Sequence, residues 1–198
     1  MPSLDSLAHE VRTCTKCPAL CLSRTQAVPG HGPVTARIVV IAEKPGWNED
    51  RDGYPMTGST GAVLNRILSR VGLERSQLYI TNIIRCLPAK GHAITITELD
   101  NCRPYLDAEL ALIQPEVVIA LGNYAAQPFF PRGVTKSNDS RIGIIHGCPR
   151  TLFTEWGQMI VLPTYHPSNV YREPAIEGVI VTDLSIVRGL LKEEDDDE

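Results

Sequence analysis

No stretch of this 198-residue chain approaches the roughly 18 consecutive apolar residues that a membrane-spanning helix needs, so no membrane partner is expected. Neither G-x-G-x-x-G nor G-x4-G-K-[ST] occurs, which argues against a phosphate-cradling mononucleotide loop. The opening MPSLDSLAHEVRTC carries acids and no apolar core. It resembles neither a secretory signal nor a transit peptide, and a cytoplasmic location is expected. A strong charge of one sign is also missing. The net charge is −4, but Glu193 to Glu198 are all acidic, and without them 19 basic side chains face 17 acidic ones. That balance neither demands nor excludes nucleic acid. With 43% hydrophobic residues the chain can bury a core, so a single domain over 1–192 is expected, followed by a solvated, disordered acidic tail over 193–198.

A second C-x2-C knuckle is lacking as well. Of six cysteines, Cys14 and Cys17 form one knuckle, and Cys86 and Cys102 follow with fifteen residues between them. Four-cysteine zinc sites more often carry two knuckles, although four thiolates from distant segments can hold one zinc ion or one iron–sulfur cluster. Length and the missing signal disfavour a disulfide framework. Cys21 and Cys148 are left as small apolar residues.

The apolar patterning alternates strands and helices. Helices are predicted over 4–12, 61–71 (N-cap Ser59 or Thr60), 97–113 (N-cap Thr97) and 179–191. Strands are predicted at RIVVIAE (37–43), QLYITNII (77–84), EVVIALG (116–122) and in QMIVLPTYHPS before His166. Such alternation argues for an α/β fold with a parallel sheet covered on both faces, whose ligands bind beyond the carboxyl ends of the strands.

Three strand ends then stand out. After the first comes a Gly- and Pro-rich loop with Glu43, Glu49, Asp50 and Asp52. Near the end of the second lies Asn82, and after the fourth comes Tyr165-His166-Pro167-Ser168. Each taken alone suits a solvated loop acid, a strand-end amide or a capped histidine. Together they offer carboxylates, an amide and an imidazole to one crevice.

These residues carry a resemblance. From about Leu4 to Leu191 the chain resembles the iron–sulfur, family 4 type of uracil-DNA glycosylase. The matches are Cys14-x2-Cys17, Arg24, Val28 to Pro33, and Glu43-Lys44-Pro45-Gly46-Trp47-Asn48-Glu49-Asp50. Further matches are Gly53-Tyr54-Pro55-Met56-Thr57-Gly58-Ser59-Thr60-Gly61, Thr81-Asn82 before Cys86, Cys102-Arg103-Pro104-Tyr105-Leu106, and His166-Pro167-Ser168. The resemblance implies a three-layer α/β/α sandwich around a four-stranded parallel sheet. It also implies a [4Fe-4S] cluster on Cys14, Cys17, Cys86 and Cys102, and a monomer that excises a flipped base from DNA.

Breaking an N-glycosidic bond puts positive character on the sugar and negative charge on the leaving base. Glu43, Glu49 or Asp50 are the candidates to orient water and stabilise the sugar, and His166 to hydrogen-bond the base carbonyl. Asn82 is the candidate reader of the base edge. Lys44, Pro45, Gly46, Met56 and Ser168 are expected at the substrate, and Gly58, Gly61, Tyr171 and Arg172 at the DNA, with backbone amides of Gly46 and Gly58 to Gly61 as phosphate contacts. Two departures concern the substrate. Met56 stands where the family usually has phenylalanine, and Lys44 where a small or amide residue is usual. Uracil is the leading substrate. A hydroxymethylated or glucosylated pyrimidine is the alternative, as in phage-defence enzymes that resemble this superfamily. A catalytically weak DNA-binding iron–sulfur module, or covalent capture through His166, is the reading of another class. The segment Arg132 to Arg141 shows no match to the basic insert that accompanies such capture.

Overall fold

The computed structural model describes residues 3–130 and 142–191. The expected tail over 193–198 and the segment 132–141 lie outside the described residues. The described chain runs α1 (Leu4–Thr13), α2 (Pro18–Ser23), β1 (Ile38–Ala42), α3 (Trp47–Asp52), α4 (Ser59–Arg70), β2 (Leu78–Asn82), α5 (Ile96–Ile113), β3 (Val117–Leu121), α6 (Gly122–Ala126), α7 (Ile142–Ile145), β4 (Arg150–Thr154), β5 (Gly157–Thr164), α8 (Ile176–Leu184) and α9 (Val187–Leu190). No described helix is long and apolar enough to cross a membrane.

The sheet order is β2-β1-β3-β5-β4. The first four strands in that order are mutually parallel, and β4 pairs antiparallel with β5. The expected α/β/α sandwich is therefore present, with five strands rather than four. β1, β2 and β3 are buried at every position, as strands covered on both faces must be, and their near-continuous apolar runs reflect it. Because side chains alternate along a strand, β1 feeds two cores. Val39 and Ile41 pack with Leu20 and Leu106 under α2 and α5, while Ile38, Val40 and Ala42 pack with Leu64, Ile67 and Ile180 under α4 and α8. Each fully buried Leu or Ile contributes about 1.5–3 kcal/mol.

The element boundaries differ from the expected ones where local hydrogen bonding decides them. α5 starts one residue earlier because Thr95, not Thr97, closes a capping box with Glu98 (Thr95 N–H to Glu98 Oε2 2.8 Å; Glu98 N–H to Thr95 Oγ1 3.2 Å). Neither Ser59 nor Thr60 caps α4; Gly58 occupies that position. The expected last helix is split into α8 and α9.

Gly61 sits in the first turn of α4, buried against the chain rather than open to a phosphate. A Cβ there would come within 1.9 Å of the Met56 carbonyl oxygen, and Met56 itself holds a left-handed φ of 54°. Gly61→Ala, which helix propensity alone would favour, is expected instead to destabilise the protein by about 1–3 kcal/mol through overpacking. Urea unfolding of the two proteins gives the sign directly.

Candidate active site

The carboxyl ends of β1, β3 and β5 open onto one cavity of about 460 Å³, within the roughly 300–1,000 Å³ typical of small-ligand sites. Glu43, Lys44, Pro45, Gly46, Glu49, Met56 and Thr60 line one part of it. Gly122, Asn123, Tyr124 and Ile142 line another, and His166, Ser168, Asn169 and Arg172 a third.

β1 delivers Glu43. The ladder to β2 continues past the strand ends, with Ile83 N–H on Ala42 O and Ile84 N–H on Glu43 O, both at 2.9 Å, which fixes the Glu43 backbone. Burial raises its carboxyl pKa above the ordinary value, and Lys44 beside it pulls the other way. Glu49 also lines the cavity, but both of its oxygens are taken. Oε2 accepts the Gly46 N–H at 3.0 Å and Oε1 the Gly58 N–H at 2.8 Å. Those two amides, expected at a phosphate, instead clip the loop through one carboxylate. Asp50 is not among the cavity-lining residues. It is buried and accepts the Thr25 N–H (3.0 and 2.8 Å) and the Gln26 N–H (3.4 Å), tying α3 to the N-terminal segment. Of the three candidate carboxylates, Glu43 alone has no described hydrogen-bond donor on it and faces the cavity.

His166 follows β5 at the start of the 3₁₀ turn Pro167–Tyr171. Its Nδ1 accepts the Ser168 N–H at 3.3 Å and lies 2.8 Å from Ser168 Oγ. A backbone N–H can only donate, so Nδ1 carries the lone pair and the neutral ring keeps its hydrogen on Nε2. Burial, with the Lys44 charge adding to it and Glu49 opposing, pushes the pKa down to about 4. Near neutral pH the ring is an uncharged donor. Arg172 is exposed at the cavity edge, and Tyr171, 58% exposed, lies outside it.

Asn82 ends β2 directly across the ladder from Ala42. It is 1% exposed, and neither its Oδ1 nor its Nδ2 has a hydrogen-bond partner among the described residues. Leaving a buried amide unpaired costs about 1–3 kcal/mol per group, so such a side chain calls for a ligand.

Residues 29–182 match the family pattern described as the Uracil DNA glycosylase superfamily. The chain belongs to the uracil-DNA glycosylase superfamily. Among its relatives is the type-4 uracil-DNA glycosylase of Sulfurisphaera tokodaii, 34% identical over 191 residues, covering 96% of this chain and 86% of the relative. The type-4 uracil-DNA glycosylase of Thermotoga maritima is 34% identical over 194 residues, 96% of each chain. That of Archaeoglobus fulgidus is 36% identical over 179 residues, covering 89% of this chain and 87% of the relative.

In this superfamily member the β3 end was not foreseen as part of the site. Gly122 takes a φ of 85°, and a Cβ there would meet the His166 Cβ at 3.3 Å, so a glycine closing a buried strand was the available signal. Asn123 and Tyr124 follow from it.

The four expected cysteine ligands come from the C-cap of α1 (Cys14), the N-cap of α2 (Cys17), the segment after β2 (Cys86) and α5 (Cys102). All are free thiols, and among the described residues no three His, Cys, Asp or Glu side chains form a group set to hold a metal ion. Two of the sulfurs nevertheless have a hydrogen-bond donor on them. Arg24 Nη1 donates to Cys86 Sγ at 2.8 Å and Asn101 Nδ2 to Cys17 Sγ at 3.5 Å. Tyr105 lies beside Cys14, and the Arg85 backbone beside Cys102. Burial pushes the Cys86 thiol up to about 11, with Arg24 opposing. Donors aimed at the Cys86 and Cys17 sulfurs suit sulfurs that carry negative charge, as metal-bound thiolates do.

Proposed function

We propose that the protein is a monofunctional DNA glycosylase that accepts a flipped uracil and hydrolyses its N-glycosidic bond, leaving an abasic site. The observation that carries this reading is the pairing of a free carboxylate, Glu43, with a neutral His166 whose N–H is locked on Nε2, in one cavity. The unpartnered Asn82 is not among the lining residues and lies across the ladder from Ala42, the residue before Glu43. The Glu43 carboxylate orients the attacking water and stabilises the sugar as its bond to the base stretches. The His166 Nε2–H donates to the base carbonyl oxygen that gathers the negative charge, without giving up a proton. The Asn82 amide offers one donor and one acceptor to the base edge, and Met56 supplies a buried thioether wall. The relatives' names point the same way.

Lys44 in the cavity wall favours one second reading, excision of a hydroxymethylated or glucosylated pyrimidine whose added hydroxyls the ammonium meets. The deciding experiment is a cleavage panel on DNA carrying uracil, hydroxymethyl-pyrimidines or glucosylated cytosine, developed with alkali. Release of uracil supports the first reading and release of only the bulky bases the second. Binding without cleavage of any of them refutes both and leaves a DNA-binding module.

The residues that would hold a [4Fe-4S] cluster are Cys14, Cys17, Cys86 and Cys102, and the donors on Cys86 and Cys17 support the assignment. Bound there, the cluster supplies a covalent cross-link, since glycosidic hydrolysis transfers no electrons. These cysteines join the N-terminal helices to β2 and α5 in the core that contains Val39 and Ile41. Protein purified without oxygen is expected to be brown, with iron and sulfide each near four per chain. Cys86→Ala is expected to lose the colour and to lower the unfolding midpoint, read by iron assay and circular dichroism. A colourless, fully stable wild-type protein would refute the assignment.

A further inference from the structure

A second cavity, of about 550 Å³, shares Asn169 and Arg172 with the first. His146, Tyr165, Glu173 and Val179 face it as well. The His146 ring is held from behind. Its Nδ1 lies 3.1 Å from both carboxylate oxygens of Asp183, a buried α8 residue whose Oδ2 also accepts the Thr164 hydroxyl at 2.6 Å. A carboxylate accepts, so Nδ1 donates, and Nε2 is the ring's remaining polar atom. The ring centroid stands 4.9 Å from that of Tyr165 at 45°. A buried carboxylate thus orients an imidazole into a cavity, and base excision in the neighbouring site uses neither group.

The chemistry of the lining selects a ligand class. Tyr165 and Val179 give an aromatic and aliphatic face, suited to a flat ring. Glu173 repels a phosphate but accepts from an exocyclic amino group, and the His146 ring, held from behind by Asp183, offers its Nε2 as a second polar contact for a base edge. Arg172, on the wall shared by both cavities, suits the phosphate that joins two consecutive nucleotides. We propose that this groove is a second nucleotide subsite. It takes the nucleotide adjacent to the flipped one in the same strand, with its base against Tyr165 and His146, and it favours an amino-bearing base over thymine. This rests on the glycosylase reading for the occupant of the first cavity.

The test is a binding ladder that requires no cleavage. Fluorescein-labelled single strands carry a tetrahydrofuran abasic analogue with zero, one or two nucleotides on either side, and Kd is read by anisotropy. The first added nucleotide on one side is expected to tighten binding about tenfold, about 1.4 kcal/mol, when it is adenine or cytosine, and less when it is thymine. His146→Ala is expected to remove most of that step. So is Ala175→Glu, which places a bulky anion at an exposed position of the groove and keeps the test valid should the histidine variant fold poorly. A wild-type ladder with no step, or a step that survives in both variants, overturns the proposal. Uracil release from a strand of the longest length, with deoxyuridine in place of the tetrahydrofuran, is measured alongside. A full ladder without release would refute the glycosylase reading and leave the groove assigned.

Discussion

His166→Ala is expected to lower kcat on uracil-containing DNA by about 10²–10³ while KM stays near the wild-type value. The Nε2–H faces a carbonyl oxygen that is nearly neutral in the bound substrate and anionic only as the bond breaks, so its loss falls on the transition state. Acidity separates the two catalytic groups. Burial keeps Glu43 above the ordinary carboxylate value, and the mechanism needs its ionised form, so the rate falls as pH drops through that raised pKa. His166 takes its proton only near pH 4, where the ring can no longer accept the Ser168 N–H. Glu43→Gln should therefore remove the acid limb of the rate profile, whereas His166→Ala should keep it. The same histidine affects folding in a defined window. Its folded pKa of about 4 lies below the ordinary 6.5, so the unfolded chain takes up the proton first, and stability falls from about pH 6.5 to 4 and levels off below. Full activity in His166→Ala would remove this residue from the mechanism.

The parts of this site that could be read from residue order are those fixed by strand ends. Glu43 and His166 follow buried strands directly, and Asn82 ends one, so apolar runs locate them to within a residue. Roles set by side-chain hydrogen bonds were not legible. Glu49 and Asp50 look alike beside Glu43, yet one clips two glycine amides and the other anchors the N-terminal segment. β4 was missed because RTLFT is an edge strand. Its burial alternates between half-buried and exposed, Phe153 is 83% exposed, and pairing with β5 rather than core burial defines it. The cysteine spacing can be read from residue order, whereas the donors Arg24 and Asn101 reach Cys86 and Cys17 only in three dimensions.

The largest loss of stability is expected from Glu109→Ala. Glu109 and Arg85 are each 1% exposed and bridge at 2.7 Å. Glu109 Oε2 also accepts the Thr81 hydroxyl at 2.8 Å, and Oε1 accepts the Tyr79 hydroxyl at 3.0 Å and the Gly30 N–H at 3.2 Å. Arg85 donates to the Thr81 hydroxyl as well. Burial alone would lower the guanidinium pKa, yet Glu109 holds it above its ordinary value, so Arg85 stays charged. Removing the carboxylate strands that charge and three further donors in an interior that cannot solvate them. A cost of about 3–5 kcal/mol is expected, with an unfolding midpoint lower by on the order of 10 °C. Replacing both partners, as in Arg85→Met with Glu109→Leu, is expected to cost less than Glu109→Ala alone, because no charge is then left unpaired. Tyr79, Thr81 and Arg85 flank Asn82 along the chain, and Cys86 follows, so the same network sets where β2 ends. If Glu109→Ala lost under about 1 kcal/mol in a urea titration, the placement of Asn82 would have to come from the ladder to β1 alone. A large loss that the double replacement relieves would make this ion pair the support from which β2 presents its unpaired amide.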